Sequence, residues 1–288
     1  MHDLQLISPA DYDGSSDVGP FPIEQYPLRF LAQGDSWFSI GAVPPWKTSN
    51  LFDKMTLSKR AVAVNCARPG AELVHMVDST RNRTFLQLLN GNKAIRWTAL
   101  LLSGLGNDVI SAAQSAPSEP PARRLLAPVA QWGPAGSAAR YISEPGWSAF
   151  EAHAREVFRL LLLARDKTVV NRGLPIVLHT YDIMTPRNAP AGPGFGPWLY
   201  KAVNAYGIPE ADWLPLSAEL VGRVGALIHS IAASEPTVHV VKTQGTLTPA
   251  STQDQVPTAH WHNEIHPSKA GYRTLGDVWE KELEALFC

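Results

Sequence analysis

Ser36 stands in Phe30-Leu31-Ala32-Gln33-Gly34-Asp35-Ser36-Trp37-Phe38, where an apolar run breaks at Gly-Asp-Ser. Far downstream, His266 stands in Asn263-Glu264-Ile265-His266-Pro267, just ahead of an amphipathic stretch. A serine hydroxyl is a poor nucleophile until a base takes its proton, and an imidazole has the intrinsic pKa for that task. The pair has the chemistry of acyl transfer, with serine as nucleophile and histidine as general base. They lie 266 − 36 = 230 positions apart, so only the fold can join them. Two more residues occupy comparable junctions: Gly70, in Asn65-Cys66-Ala67-Arg68-Pro69-Gly70-Ala71, and Asn107, in Ser103-Gly104-Leu105-Gly106-Asn107-Asp108.

The elements that must position these residues read as short apolar runs alternating with amphipathic stretches. That order implies a parallel sheet with helices on both faces. Strands are expected near Leu28–Gln33, Arg60–Cys66, Thr98–Ser103, Pro175–Thr180 and Val238–Val241. Ser36, Gly70 and Asn107 follow the first three, on the side where open parallel sheets bind ligands. Helices are expected near Phe150–Arg165, Ser217–Ala233 and Ser268–Phe287. In the last, Ser268 can cap the start, and Tyr272, Leu275, Trp279, Leu283 and Leu286 form one apolar face. Two Pro- and Gly-rich insertions, 115–146 and 185–212, follow strand ends and can border the cleft, with Trp132, Trp147, Phe195 and Trp198 as candidate wall residues.

These four blocks, in this order, resemble the SGNH (GDSL-type) hydrolase superfamily, named for a Ser, a Gly, an Asn and a His. The resemblance spans most of the chain, from Gly34-Asp35-Ser36 to His266. It implies a single domain over residues 1–288, a three-layer α/β/α sandwich with a central, flavodoxin-like parallel sheet of about five strands. It implies a serine esterase or lipase that hydrolyses carboxylic esters through an acyl-serine, with acyl thioesters as alternative donors. It further implies an oxyanion hole made by the backbone N–H groups of Ser36 and Gly70 and the side-chain amide of Asn107. No cofactor and no metal are expected.

The chain departs from the family pattern twice. Leu105 stands where the family usually has Gly, so a differently shaped turn is expected there. Asn263 stands where an Asp usually orients the histidine. Asn can accept a hydrogen bond from the imidazole but brings no negative charge, and the corresponding change in serine proteases lowers turnover by roughly 10⁴. Two arrangements remain open: an Asn-oriented dyad, or a replacement carboxylate from Glu264 or Asp182. A degenerate protein that only binds acylated ligands or glycans is the alternative reading. A metallohydrolase, with a hydrolytic metal on His262, His266 and a carboxylate, is a further one, against which stand the missing His-Glu-x-x-His pattern and Pro267.

Other residues read as structural. Asp35 reads as a turn residue that bonds nearby backbone N–H groups. His179, flanked by apolar residues, reads as a core histidine. Cys66 reads as an inert buried thiol, and with Cys288 as the one other cysteine no disulfide framework is expected.

Composition narrows the partners. The 288 residues are 45% hydrophobic and 18% charged, enough for a substantial core. The formal net charge of −1, without runs of like charge, gives nucleic-acid or membrane-surface binding no electrostatic support. No apolar run reaches eighteen residues and no secretory signal is visible, so no integral membrane segment and a cytoplasmic location are expected. The expected partner is a small-molecule or lipid ester.

Overall fold

The structure, a computed structural model, describes residues 1–17, 19–39 and 49–288. Its strands are β1 (His2–Asp3), β2 (Gln5–Ile7), β3 (Leu28–Gly34), β4 (Thr56–Leu57), β5 (Ala61–Asn65), β6 (Ala99–Ser103), β7 (Ile176–His179) and β8 (Val238–Val241). β1 and β4 form a small antiparallel pair, and the other six form one parallel sheet in the order β2-β5-β3-β6-β7-β8. The five expected strands are all present. The sixth, β2, is a short edge strand whose first two residues are exposed, so it carries no apolar run to announce it. β6 is buried along its whole length, as a strand covered on both faces must be.

The helices are α1 (Pro9–Asp13), α2 (Leu73–Val77), α3 (Arg83–Asn90), α4 (Gly106–Ala113), α5 (Glu144–Asp166), α6 (Leu199–Ala205), α7 (Trp213–Ser234) and α8 (Lys269–Phe287). The crossovers from β5 to β6, β6 to β7 and β7 to β8 all step the same way along the sheet. Right-handed connections therefore put α2, α3, α5 and α7 on one face. α8 covers the other, where Trp279 meets Phe38 and His179, and Phe287 meets Phe30. The result is a three-layer α/β/α sandwich. By length and composition the segment Glu210–Ser234 is apolar enough to cross a membrane. Its apolarity serves the core: Leu220, Val224, Leu227, Ile228 and Ile231 are all buried, as their helical spacing predicts.

Helix ends follow their caps. Ser268 accepts the Gly271 N–H at 3.1 Å and starts α8. Ser143 caps α5 in the same way, so that helix begins well before the expected Phe150.

The topology creates a crevice. From β3 the chain crosses to β5 on one side and later returns to β6 on the other, so the C-terminal ends of β3 and β6 form the switch point where ligands bind in such sheets. Ser36 follows β3 and Asn107 follows β6. The two strands close tightly at this end: Gly34 pairs with Ser103, and a Cβ at Gly34 would stand 2.6 Å from the Ser103 Cβ.

Candidate active site

Three of the expected site residues meet. His266 Nε2 lies 2.8 Å from Ser36 Oγ. On the ring's other side, Nδ1 lies 3.1 Å from Asn263 Oδ1 and 3.0 Å from Asn263 Nδ2. Oδ1 also accepts the backbone N–H groups of Ile265 and His266 at 3.0 and 2.9 Å, which sets the orientation of the amide. Two proton arrangements fit. With Nδ1 protonated, it donates to Oδ1 and leaves the Nε2 lone pair facing the serine. With Nε2 protonated, Asn263 Nδ2 donates to Nδ1 and the imidazole can no longer take the serine proton. An aspartate would permit only the first.

The ring is buried, and burial, with a smaller contribution from His262, pushes the His266 pKa down to about 3. Neutral imidazole is therefore the resting form. Neither carboxylate considered as a replacement is directed to it. Asp182 accepts the N–H groups of Ile183, Gly245 and Leu247 at 2.6–2.8 Å, tying the end of β7 to the 245–247 turn. Glu264 collects the N–H groups of Trp198, Leu199 and Tyr200 at the start of α6, and that of Arg187 at 3.4 Å. Burial pushes its pKa up to about 7 against the effect of these donors. Of the three candidates, Asn263 is the residue in contact with Nδ1.

Asn107 lines a small cavity with Asp35, Ser36, Trp37, Ile110, Tyr181, Met184 and Ile265. Its Nδ2 donates to the Ala71 carbonyl at 3.1 Å, and the amide retains a second N–H. Gly70 does not line this cavity; it lies in an adjoining pocket in a left-handed conformation, φ +74°. Among the described residues, no three of His, Cys, Asp and Glu converge as metal ligands would.

No family model matches the chain, and no curated protein matches it. Solved structures do. A protein from Streptococcus pneumonia, provisionally named a platelet activating factor, shares 14% identity over 89% of this chain and 84% of its own, at a TM-score of 0.50. A GDSL-like lipase from Bacteroides thetaiotaomicron shares 11% identity, with 96% and 97% covered and a TM-score of 0.47. An acetyl xylan esterase variant from Geobacillus stearothermophilus shares 15%, with 90% and 95% covered and a TM-score of 0.47. The chain has the SGNH hydrolase fold. At these identities the fold is what the likeness establishes, and the activities named belong to those proteins.

Within this SGNH fold, a buried polar network beneath Ser36 went unread in the sequence. Asp35 Oδ1 contacts the Trp37 N–H at 2.9 Å and Ser103 Oγ at 2.8 Å, and Oδ2 accepts from the Tyr181 hydroxyl. His179 continues the chain, with Nε2 2.9 Å from Ser103 Oγ and Nδ1 2.9 Å from the Thr180 carbonyl. The three contacts from the Thr180 carbonyl to Asp35 need three protons. A neutral imidazole and a hydroxyl supply two. Burial pushes Asp35 up to about 6 and His179 down to about 3, so below about pH 6 the third proton sits on the carboxyl and not on the imidazole, while above it the Ser103 hydroxyl donates to the carboxylate. Asp35 is thus a turn residue, as read from the sequence, and also the end of a buried proton chain. His179 is the core histidine expected, and burial pushes the Cys66 thiol up to about 12.

Several positioning residues carry little sequence signal. Trp37 Nε1 donates to the Ile265 carbonyl at 3.2 Å. Asn65 Nδ2 donates to the Phe38 carbonyl at 2.8 Å, and Arg187, fully buried, donates to the Asn263 carbonyl at 2.8 Å. Of the four aromatic wall candidates, Trp198 meets the His266 ring edge-on at 5.8 Å. Trp132 instead packs on Tyr141 and Trp147 on Phe150, since insertion 115–146 folds onto the start of α5, while Phe195 is exposed. Leu105 takes the left-handed conformation, φ +81°, that a glycine would adopt freely. The left-handed conformation places strain in the leucine backbone.

Proposed function

We propose that this protein is a serine esterase that hydrolyses carboxylic esters of small acyl groups through an acyl-Ser36 intermediate. The observation that carries the reading is the 2.8 Å contact between His266 Nε2 and Ser36 Oγ, with Asn263 at Nδ1. As Oγ attacks the ester carbonyl, Nε2 takes its proton. The developing oxyanion is met by the Ser36 N–H and the second N–H of Asn107, with the Gly70 N–H on the adjoining wall. The imidazolium then gives its proton to the departing alkoxide. Water attacks the acyl-serine with the same imidazole as base, releasing the carboxylic acid and restoring Ser36. A thioester can be opened by the same steps with a thiol as leaving group.

The size of the cavity supports a small acyl group. Its volume is about 10 Å³, room for about one water, and Ile110, Met184 and Ile265 line it with apolar surface. Two experiments test the reading. A serine-directed fluorophosphonate should label the native protein and not Ser36→Ala. Hydrolysis of p-nitrophenyl esters should fall with acyl length, with Ser36→Ala as blank. If blank and native protein act alike on every ester, Ser36 is not the nucleophile.

A further inference from the structure

The pocket that holds Gly70 has a volume of about 290 Å³ and is lined by Gln33, Arg68, Gly70, His75, Arg81 and Asn82, among others. It adjoins the Ser36 cavity: the Arg68 N–H donates to the Gly34 carbonyl at 2.9 Å, and Ala71, another lining residue, accepts from Asn107 at 3.1 Å. Its lining is rich in donors. The Arg68 guanidinium gives one bond to the Arg81 carbonyl at 3.2 Å, and Arg81 Nη1 gives one to His75 Nε2 at 2.7 Å, which leaves most of both forks unused. Gln33 is 1% exposed; its Oε1 accepts the Gly34 N–H at 3.0 Å while its Nε2 has no partner. Asn82, also buried, stands at the start of α3 without making a capping bond. The nearby carboxylates are turned to the backbone. Glu72 caps α2, and Asp78 accepts from the Thr80 N–H at 2.7 Å and from the Arg81 N–H at 3.4 Å, while its other oxygen pairs loosely with Arg81 Nε at 3.8 Å.

We propose that this pocket is a subsite for an anionic group, a carboxylate or a phosphate, carried by the ester substrate. The inference rests on the esterase reading, because it places the anion beside the carbonyl that Ser36 attacks. Two guanidinium forks with neutral amide donors between them suit an oxyanion of fixed geometry.

Kinetics on three acetates test this: phenyl acetate, 3-carboxyphenyl acetate and acetylated glycerol 3-phosphate. The native protein should show a higher kcat/KM for at least one anionic ester than for phenyl acetate, and the two anionic arms tell carboxylate from phosphate. In Arg68→Gln/Arg81→Gln the ratio of anionic to neutral kcat/KM should fall about tenfold or more. No preference in the native protein, or a preference that survives the double substitution, overturns the subsite. Calorimetric titration of Ser36→Ala with 3-hydroxybenzoate and glycerol 3-phosphate separates the two readings. Saturable binding abolished by the arginine substitutions, in a protein that hydrolyses no ester, upholds the anion site and removes the esterase. Hydrolysis without anion preference or binding does the reverse.

Discussion

The indole nitrogen of Trp37 donates to the carbonyl of Ile265 at 3.2 Å, joining the residue after Ser36 to the residue before His266 across 228 positions. The bond is buried, and the Trp37 ring also packs against His179, Tyr181 and Tyr272. Trp37→Phe keeps most of that packing but leaves the Ile265 carbonyl without its donor. It should lower stability by about 1–2 kcal/mol and kcat by about tenfold, because small misplacements at a reacting pair are costly. Denaturant unfolding and ester kinetics on one sample check both; an intact kcat would make the bond a folding contact only.

Asn263→Asp should raise turnover at neutral pH. A carboxylate still accepts the Ile265 and His266 N–H groups, admits only the productive imidazole tautomer, and stabilises the imidazolium. The gain should be about tenfold or more, below the roughly 10⁴ seen for the reverse change in a serine protease. Asn263→Ala should lower kcat by about a hundredfold or more. Steady-state kinetics on the two variants decide, and an unchanged rate in Asn263→Asp would remove the argument from charge.

The pH dependence has a definite sign. With the His266 pKa pushed down to about 3, the neutral base persists in acid. The acid limb of kcat/KM should lie well below the ordinary histidine value near 6.5. Asn263→Asp should move that limb upward. A pH–rate profile on the two proteins measures the displacement.

Asp35 provides a stability test. Its folded pKa is raised from 3.8 to about 6, so the native state holds a proton the unfolded chain releases. That contribution is complete below pH 3.8 and is lost as pH rises through about 6, on the order of 3 kcal/mol in all. Asp35→Asn cannot titrate. The native protein should lose stability relative to this variant between pH 4 and pH 7, as read from paired unfolding curves; parallel curves would place no proton on Asp35.

Acyl selectivity should follow the cavity floor. Ile110→Ala, which lines the Ser36 cavity and is buried, should shift the preferred p-nitrophenyl ester to longer chains, by roughly 10–200-fold per added methylene. The same change should cost about 2–4 kcal/mol of stability.

The chemistry of this site was more legible than its scaffolding. Ser36 and His266 are recognisable by residue type and by the elements beside them, and the core strands by their apolar runs. Hidden were features whose cause lies far away in sequence. α6 is seven residues long, and its starting N–H groups are satisfied by Glu264, more than sixty positions downstream. Tyr181 and Ser103 look like ordinary strand-end residues until the fold closes them around Asp35. Leu105 reads as a departure from the glycine pattern; its backbone is left-handed and its side chain is buried in the core.

Asn263 and Glu264 are adjacent, and they face different tasks: one steadies the imidazole, the other holds the start of α6 and the neighbouring insertion. Grafting a different wall onto this scaffold therefore means transplanting residues 263–266 along with it, since a new wall anchored elsewhere would strand a buried carboxylate two residues from His266.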